Sequence, residues 1–275
     1  MKTQPKSKES LSLLLRALKL PSFVEHHEDI AAVAEREGWS FVDYLRHLVE
    51  LELEDRRRRR IERLQKESKL PIDKTLGALD RDRLPITVRR LLGKLIEGDF
   101  VGRAENVLAF GLPGRGKTHL VCAIGHELIQ RGYRVLFEPA FALVQRLLAA
   151  KRGLTLEREL KKLDGYDVVI LDDLGYIQQD REEMEVLFTF LAERYERRSV
   201  VLTSNLVFSQ WDKIFKDPMT TAAAIDRVVH HSIILELTGT SYRSDEARNR
   251  QAPKKQGGNK ATKDNPEARA ECELS

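Results

Sequence analysis

Two hydrophobic periods divide this chain. In residues 1–70 the apolar positions recur at helical spacing. Leu11, Leu14, Leu15 and Leu18 mark one apolar face, and Phe41, Tyr44, Leu45, Leu48 and Leu51 mark another. The second of these helices starts near Ser40. Asp43, three residues on, stands where a capping box places Glu. The helix runs on into Arg56–Arg60, and Pro71 stops it. Lys69–Leu84 then reads as a linker, with Pro71, Gly77 and Pro85 as punctuation.

From Asn106 the pattern changes. Short runs rich in Val, Ile and Leu occur at Asn106–Phe110, Tyr133–Phe137, Asp167–Leu171, Ser199–Thr203 and Ser232–Leu237. They lack polar alternation, as strands buried on both faces do. Thr118–Gln130, Phe141–Ala150 and Glu182–Arg197 lie between them with helical patterning. Strand and helix in alternation predict an α/β domain around a parallel sheet. The expected organisation is an all-α N-terminal domain at 1–70, a basic linker at 71–100, the α/β domain at 101–247 and a disordered tail at 248–275. The tail is expected from its polar, Gly- and Pro-containing composition.

Composition narrows the class. Of 275 residues, 41% are hydrophobic, which supports a packed core and excludes wholesale disorder. No run reaches the roughly 20 apolar residues of a membrane span, so no membrane role is expected. The apolar stretch Leu11–Leu20 is broken by Arg16 and Lys19 and reads as an amphipathic helix, not a signal peptide. Cys122 and Cys272 are far apart, which excludes a disulfide scaffold and fits a reducing, cytoplasmic setting.

The net charge of +4 hides an asymmetry. Residues 56–94 hold 14 basic and 5 acidic side chains, whereas residues 101–247 hold 19 and 21. Such a cationic segment is the footprint of an anionic polymer or surface, and the whole of it points towards nucleic acid. Arg56, Arg57, Arg58, Arg59, Arg60 and Arg63 are its candidate contacts. A solvated helix face that serves only solubility is the alternative for Arg56–Arg60 taken alone. No base-reading motif is present, so binding is expected to be largely independent of sequence.

The sharpest chemical signal is Gly111-Leu112-Pro113-Gly114-Arg115-Gly116-Lys117-Thr118. It follows a predicted strand, opens a predicted helix and matches the P-loop pattern. Its glycines free the backbone to turn N–H groups onto phosphate oxygens, and the helix adds its positive end. Lys117 would reach the β- and γ-phosphates of ATP, and Thr118 would ligate Mg2+. Asp167–Asp173 is a second element, four apolar residues that end in two carboxylates. Asp172 is placed to hold Mg2+, and Asp173 to orient and deprotonate a water.

Val200–Asn205 is another apolar strand, and it ends in a polar cluster. Asn205, with Thr203 as a second candidate, could position the water near the γ-phosphate; a helix cap is the alternative. Arg227, just before the last strand, could serve a neighbouring subunit as an arginine finger or pair with a carboxylate. His230 and His231 are adjacent, so divergent side chains and no shared metal are expected. Cys122 reads as a core residue.

These residues carry a family resemblance. Arg103–Leu108, Gly116-Lys117-Thr118-His119-Leu120, Leu171–Tyr176, Thr203-Ser204-Asn205, Asp226-Arg227, Lys74-Thr75-Leu76 and Ser241-Tyr242-Arg243 resemble the IstB-like ATP-binding proteins. These are helpers encoded beside a transposase, similar to the DnaC helicase loader and more distantly to DnaA. The resemblance covers roughly residues 8–248. It implies an AAA+ P-loop NTPase with a central parallel five-stranded sheet, ATP-driven self-association into a higher oligomer on DNA, and help to a transposase. It also implies Asn205 as sensor and Arg227 as the finger acting in trans. Two departures stand out: Asp173 where many AAA+ proteins carry Glu, and Arg115 where a smaller residue is commoner. Little chain follows Ser232–Leu237 for a helical lid. The competing readings are a replicative helicase loader and a DNA-binding adaptor that keeps ATP as a structural ligand.

Overall fold

A computed structural model describes residues 8–175, 181–206 and 228–238 of the chain. Arg227 and the tail at 248–275 lie outside the described residues.

Three helices come first: α1 (Lys8–Ala17), α2 (Pro21–Glu37) and α3 (Phe41–Glu67). Pro21 opens α2, where its missing N–H has no intrahelical partner to lose. Gly38 closes it in the left-handed conformation that a side chain resists. Ser40 caps α3 as expected, with its hydroxyl oxygen 3.2 Å from the Asp43 N–H. That hydroxyl also donates to the Asp43 carboxylate at 2.6 Å, so the pair closes side chain to side chain.

The helices α2 and α3 are pinned by a buried carboxylate. Glu52 accepts the Ser22 backbone N–H at 2.9 Å and the Arg56 guanidinium at 2.7 Å. Burial alone would raise its pKa, but these donors hold it below the usual carboxylate range.

The C-terminal half of α3 reaches the α/β domain. Leu64 joins the apolar cluster on one face of the sheet, Arg60 donates to the Gly132 carbonyl at 3.1 Å, and the Ser68 carbonyl accepts the Phe137 N–H at 2.7 Å. Residues 71–100, expected as a linker, supply core to the same cluster. Leu79 and Leu84 are buried, followed by Val88, Leu92 and Leu95 of α4 (Ile86–Glu97) and Phe100 of α5 (Asp99–Gly102). The basic residues that mark this stretch are interleaved with those apolar positions. Arg89, Arg90 and Lys94 separate Val88, Leu92 and Leu95, whose spacing is that of one helix face.

The sheet comprises β1 (Asn106–Phe110), β2 (Val135–Pro139), β3 (Val168–Leu174), β4 (Ser199–Ser204) and β5 (Ser232–Glu236). All neighbours are parallel in the order β2-β3-β4-β1-β5. Among the described residues four further helices connect the strands: α6 (Lys117–Gln130), α7 (Ala140–Arg152), α8 (Leu156–Asp164) and α9 (Arg181–Arg194). Alternate strand residues feed two cores. Val107, Ala109, Val168 and Ile170 pack with α4 and α6, whereas Leu108, Phe110, Val169 and Leu171 pack with α7 and α9.

Most boundaries lie within one to three residues of expectation, and three of the differences are informative. β2 starts at Val135 and not Tyr133, because Gly132 and Tyr133 close α6 through bonds to Ile129 and Leu128. α9 ends at Arg194, short of Arg197, and Glu196 takes a left-handed φ of 55°. β3 runs on to Leu174 across a register shift that begins at Leu171.

Arg194 fastens the foot of the second core. Only 2% exposed, it donates to the carbonyls of Leu163, Tyr166, Asp167 and Ser199 at 2.9–3.2 Å. Burial pushes its pKa down to about 10, which still leaves it charged at neutral pH. Arg194→Met should destabilise the fold by about 3 kcal/mol in urea denaturation, since it strands two buried and two part-buried carbonyls. Arg194→Lys should not restore stability, because an ammonium cannot reproduce the planar fork of donors.

Candidate nucleotide-binding site

The site lies at the carboxyl ends of β1, β3 and β4, where a parallel sheet gathers its loops. β1 ends at Phe110, and Gly111 turns the chain away with a φ of 154°. A Cβ on Gly111 would stand 2.5 Å from the Leu237 carbonyl, so this glycine is needed for β5 to approach as well as for the loop. Gly114 and Gly116 take φ values of 79° and 83°, and Gly116 leads directly into α6. The loop Gly111–Thr118 therefore aims backbone N–H groups and a helix N-terminus at one space. Leu112 and Pro113 are exposed, whereas Arg115, between Gly114 and Gly116, is half-buried.

Lys117 is the first residue of α6 and is 5% exposed. Its ammonium donates to the carbonyls of Gly111 at 2.7 Å and Leu112 at 3.2 Å, which folds it back over the loop. Thr118, the next residue, donates to Asp172 at 2.9 Å. Asp172 ends the regular part of β3 and also accepts the Thr203 hydroxyl of β4 at 2.6 Å. The Thr203 hydroxyl oxygen in turn accepts the Asp173 N–H at 2.8 Å. One chain of hydrogen bonds thus runs Asp173 N–H, Thr203, Asp172, Thr118, and it joins two strands to the loop helix.

Asp173 adopts a φ of 59°, rare for a residue with a side chain, and its side chain is exposed beside the buried Asp172. Gly175 follows with a φ of 117°. A Cβ there would lie 3.2 Å from Asn205 Oδ1, so the glycine makes room for Asn205. Asn205 Oδ1 is buried and has no hydrogen-bond partner among the described residues. An unsatisfied polar atom at a strand-end crevice suits a bound polar group.

The donors fit a nucleotide and its cation. A hydroxyl and a carboxylate already in contact form an all-oxygen pair of the kind Mg2+ takes, with room left for water and phosphate. The P-loop amides and the Lys117 ammonium fit phosphate oxygens.

Some of the site is invisible in the sequence. Thr203, expected as a second water-positioning candidate, uses its hydroxyl instead to tie Asp172 to Asp173. The available signal is a polar residue inside the apolar run of β4. The Lys74-Thr75-Leu76 segment is laid along α6, with His119 Nε2 3.1 Å from the Thr75 carbonyl and His126 Nε2 3.0 Å from that of Pro71. Cys122 is fully buried on α6, and burial pushes its thiol up to about 12, as for a core residue.

The Arg56–Arg60 block lies on α3, and Arg57, Arg58, Arg59 and Arg60 are exposed with Arg56 half-exposed at its start. Several have protein partners: Arg56 on Glu52, Arg58 on Asp55 at 2.6 Å, Arg59 on the Asp55 carbonyl, Arg60 on Gly132. Arg63 lies 4.0 Å from Glu67. The expected divergence of His230 and His231 is not found. A turn ahead of β5 brings their ring centroids within 4.3 Å.

The chain has clear relatives. The profile of the IstB-like ATP-binding proteins matches residues 13–251. A Sinorhizobium fredii protein named for insertion-sequence ATP binding is 43% identical over 234 residues, covering 85% of this chain and 78% of its own. A Pseudomonas aeruginosa protein named for ATP binding in insertion sequence IS21 is 38% identical over 238 residues, covering 86% and 90%. AMPPCP-bound DnaA from Aquifex aeolicus shares the fold with a TM-score of 0.53 and 19% identity, over 66% of this chain and 56% of that one.

Thr203→Val keeps the shape of β4 and deletes the link between the two aspartates. Nucleotide binding measured against Mg2+ concentration should require about tenfold more Mg2+, the usual cost of losing a side chain that orients a metal ligand. Binding measured in chelator should change little.

Proposed function

The chain belongs to the IstB-like ATP-binding family, an AAA+ group matched here over residues 13–251, and from that premise we propose an ATPase that assembles on double-stranded DNA to assist a transposase. The observation that carries the ATPase reading is the Thr118–Asp172–Thr203–Asp173 chain of hydrogen bonds, which holds two carboxylates beside a phosphate-binding loop.

In this reading Gly111, Leu112, Pro113, Gly114, Arg115, Gly116, Lys117 and Thr118 cradle the triphosphate of ATP. Lys117 exchanges its two carbonyl partners for β- and γ-phosphate oxygens. Thr118 and Asp172 hold Mg2+, which supplies charge neutralisation at the phosphates. Asp173 orients a water and accepts its proton. Its exposed side chain beside Asp172 supports that role. Asn205 offers its amide to the attacking water or the γ-phosphate, and its unpartnered Oδ1 supports a polar ligand there. Arg227 of a neighbouring subunit completes the charge stabilisation, a role that rests on the family resemblance. A nucleotide shared between subunits binds the assembled state better and so drives assembly.

The DNA contacts in this reading come from Arg56, Arg57, Arg58, Arg59, Arg60 and Arg63 on α3. An exposed ion pair contributes little, so phosphates can compete for these guanidinium groups. Assembly multiplies the contacts through effective concentration. The insertion-sequence names of the relatives support transposition as the setting.

Two experiments test the proposal. Asp173→Asn should keep ATP affinity and lose about a hundredfold or more in turnover, as loss of a general base does. Unchanged turnover would remove Asp173 from the mechanism. Arg57→Glu with Arg63→Glu should weaken duplex binding in the presence of an ATP analogue. Its log–log salt slope should shrink by about 0.9 for each DNA phosphate that the variant no longer neutralises. Equal DNA affinity in wild type and variant, or with and without nucleotide, contradicts the assembly reading.

A further inference from the structure

The foot of the sheet carries a second cluster of polar donors, unrelated to the nucleotide site. Glu196, His230 and His231 each offer one ligand atom, and these three atoms all lie within 4.8 Å of one another. Among the described residues no other such group of three occurs. We infer that Glu196, His230 and His231 form a binding site for a borderline divalent transition metal such as Zn2+.

The backbone is built to bring these side chains together. Adjacent residues in an extended strand point to opposite faces, but His230 and His231 occupy a turn. That turn is fixed on both sides. Ser232 donates its hydroxyl to the Val229 carbonyl at 2.9 Å, and the His231 carbonyl accepts the Asn106 N–H at 2.7 Å. The two rings meet edge to face at 72°. Glu196 comes from the other side, in the turn between α9 and β4, and its φ of 55° is one that residues other than glycine seldom adopt. Its carboxylate reaches 3.4 Å from His231 Nε2.

A supporting shell is present too. The Tyr195 hydroxyl lies 3.2 Å from His230 Nδ1 and fixes the orientation of that ring. Ligating histidines commonly give their second nitrogen such a partner. Two imidazoles with one carboxylate are a donor set for Zn2+, Co2+, Ni2+ or Cu2+, not for Mg2+, which prefers oxygen alone. All three residues are exposed, so an ion has direct access and a coordination position remains for water.

The site is remote from the ATP-binding loop. Ser232, next to His231, pairs with Asn106 at the start of β1, while the loop follows the end of that strand. The separation is about 16 Å at the usual rise per strand residue. An ion there would tie the α9–β4 turn to the turn that precedes β5, three residues after Arg227 in sequence. The inference stands independently of the ATPase reading.

The test uses the full-length, tag-free protein, stripped of metal and supplied with excess Mg2+ to fill hard-cation sites. Titration calorimetry with Zn2+ should give one ion per chain. His230→Gln with His231→Gln should weaken it by about tenfold or more, and Glu196→Gln should weaken it measurably with both histidines intact. Co2+ should develop visible absorption bands that Zn2+ abolishes. Circular dichroism without metal should be the same for every variant, because all three positions are exposed. No Zn2+ uptake by the wild type, or Zn2+ affinity unchanged in both variants, overturns the inference.

Discussion

Asp172 is the constraint on which the rest of the site depends. A carboxylate 9% exposed at the end of an apolar strand needs partners, and it finds two hydroxyls from two directions. Thr118 reaches it from the helix after the phosphate-binding loop, and Thr203 from the neighbouring strand. The loop cannot shift relative to β3 without breaking the first bond, and β4 cannot shift without breaking the second. Asp173 is held in its left-handed backbone by the other side of the same Thr203 hydroxyl. The local strain at Asp173 is therefore sustained by the network that positions Asp172.

The surrounding fold keeps that network rigid. β1, β3 and β4 are buried on both faces, so their carboxyl ends have no freedom to slide, whereas β5 at the sheet edge, expected to be buried on both faces, is partly exposed. At the opposite end Arg194 joins α8, α9 and β4 through carbonyls. The N-terminal helices are attached to this body, not strung from it. Ser68 extends the edge of β2, Arg60 grips Gly132, and the 71–84 segment lies along α6 under His119 and His126. His119 directly follows Thr118, so a change at the loop has a short path to the segment that leads back to α3.

Much of this is legible in the sequence because its physics is local. The glycine spacing, the apolar runs and the terminal aspartates predict β1, β3, β4 and the loop to within a few residues. Other features depend on tertiary partners and leave no local mark. α4 is hidden because Arg89, Arg90 and Lys94 draw the reading to charge, whereas Val88, Leu92 and Leu95 come onto one buried face only once the helix packs on the sheet. The strand β2 is misplaced by two residues because Tyr133 looks like a strand residue but completes the end of α6. The contact of His230 with His231 is set by a turn whose geometry depends on Asn106, distant in sequence. The linking role of Thr203 needs β3 and β4 in register before it exists.

The central claim is that this strand-end site holds ATP through the loop and its lysine. The most direct measurement is equilibrium binding of a labelled ATP analogue, with Mg2+, to wild type and to Lys117→Ala. Loss of the charged donor should weaken binding between about tenfold and a hundredfold, the worth of hydrogen bonds from an ammonium to phosphate. The alanine variant should retain its secondary structure. Equal affinity in the two proteins would contradict the account.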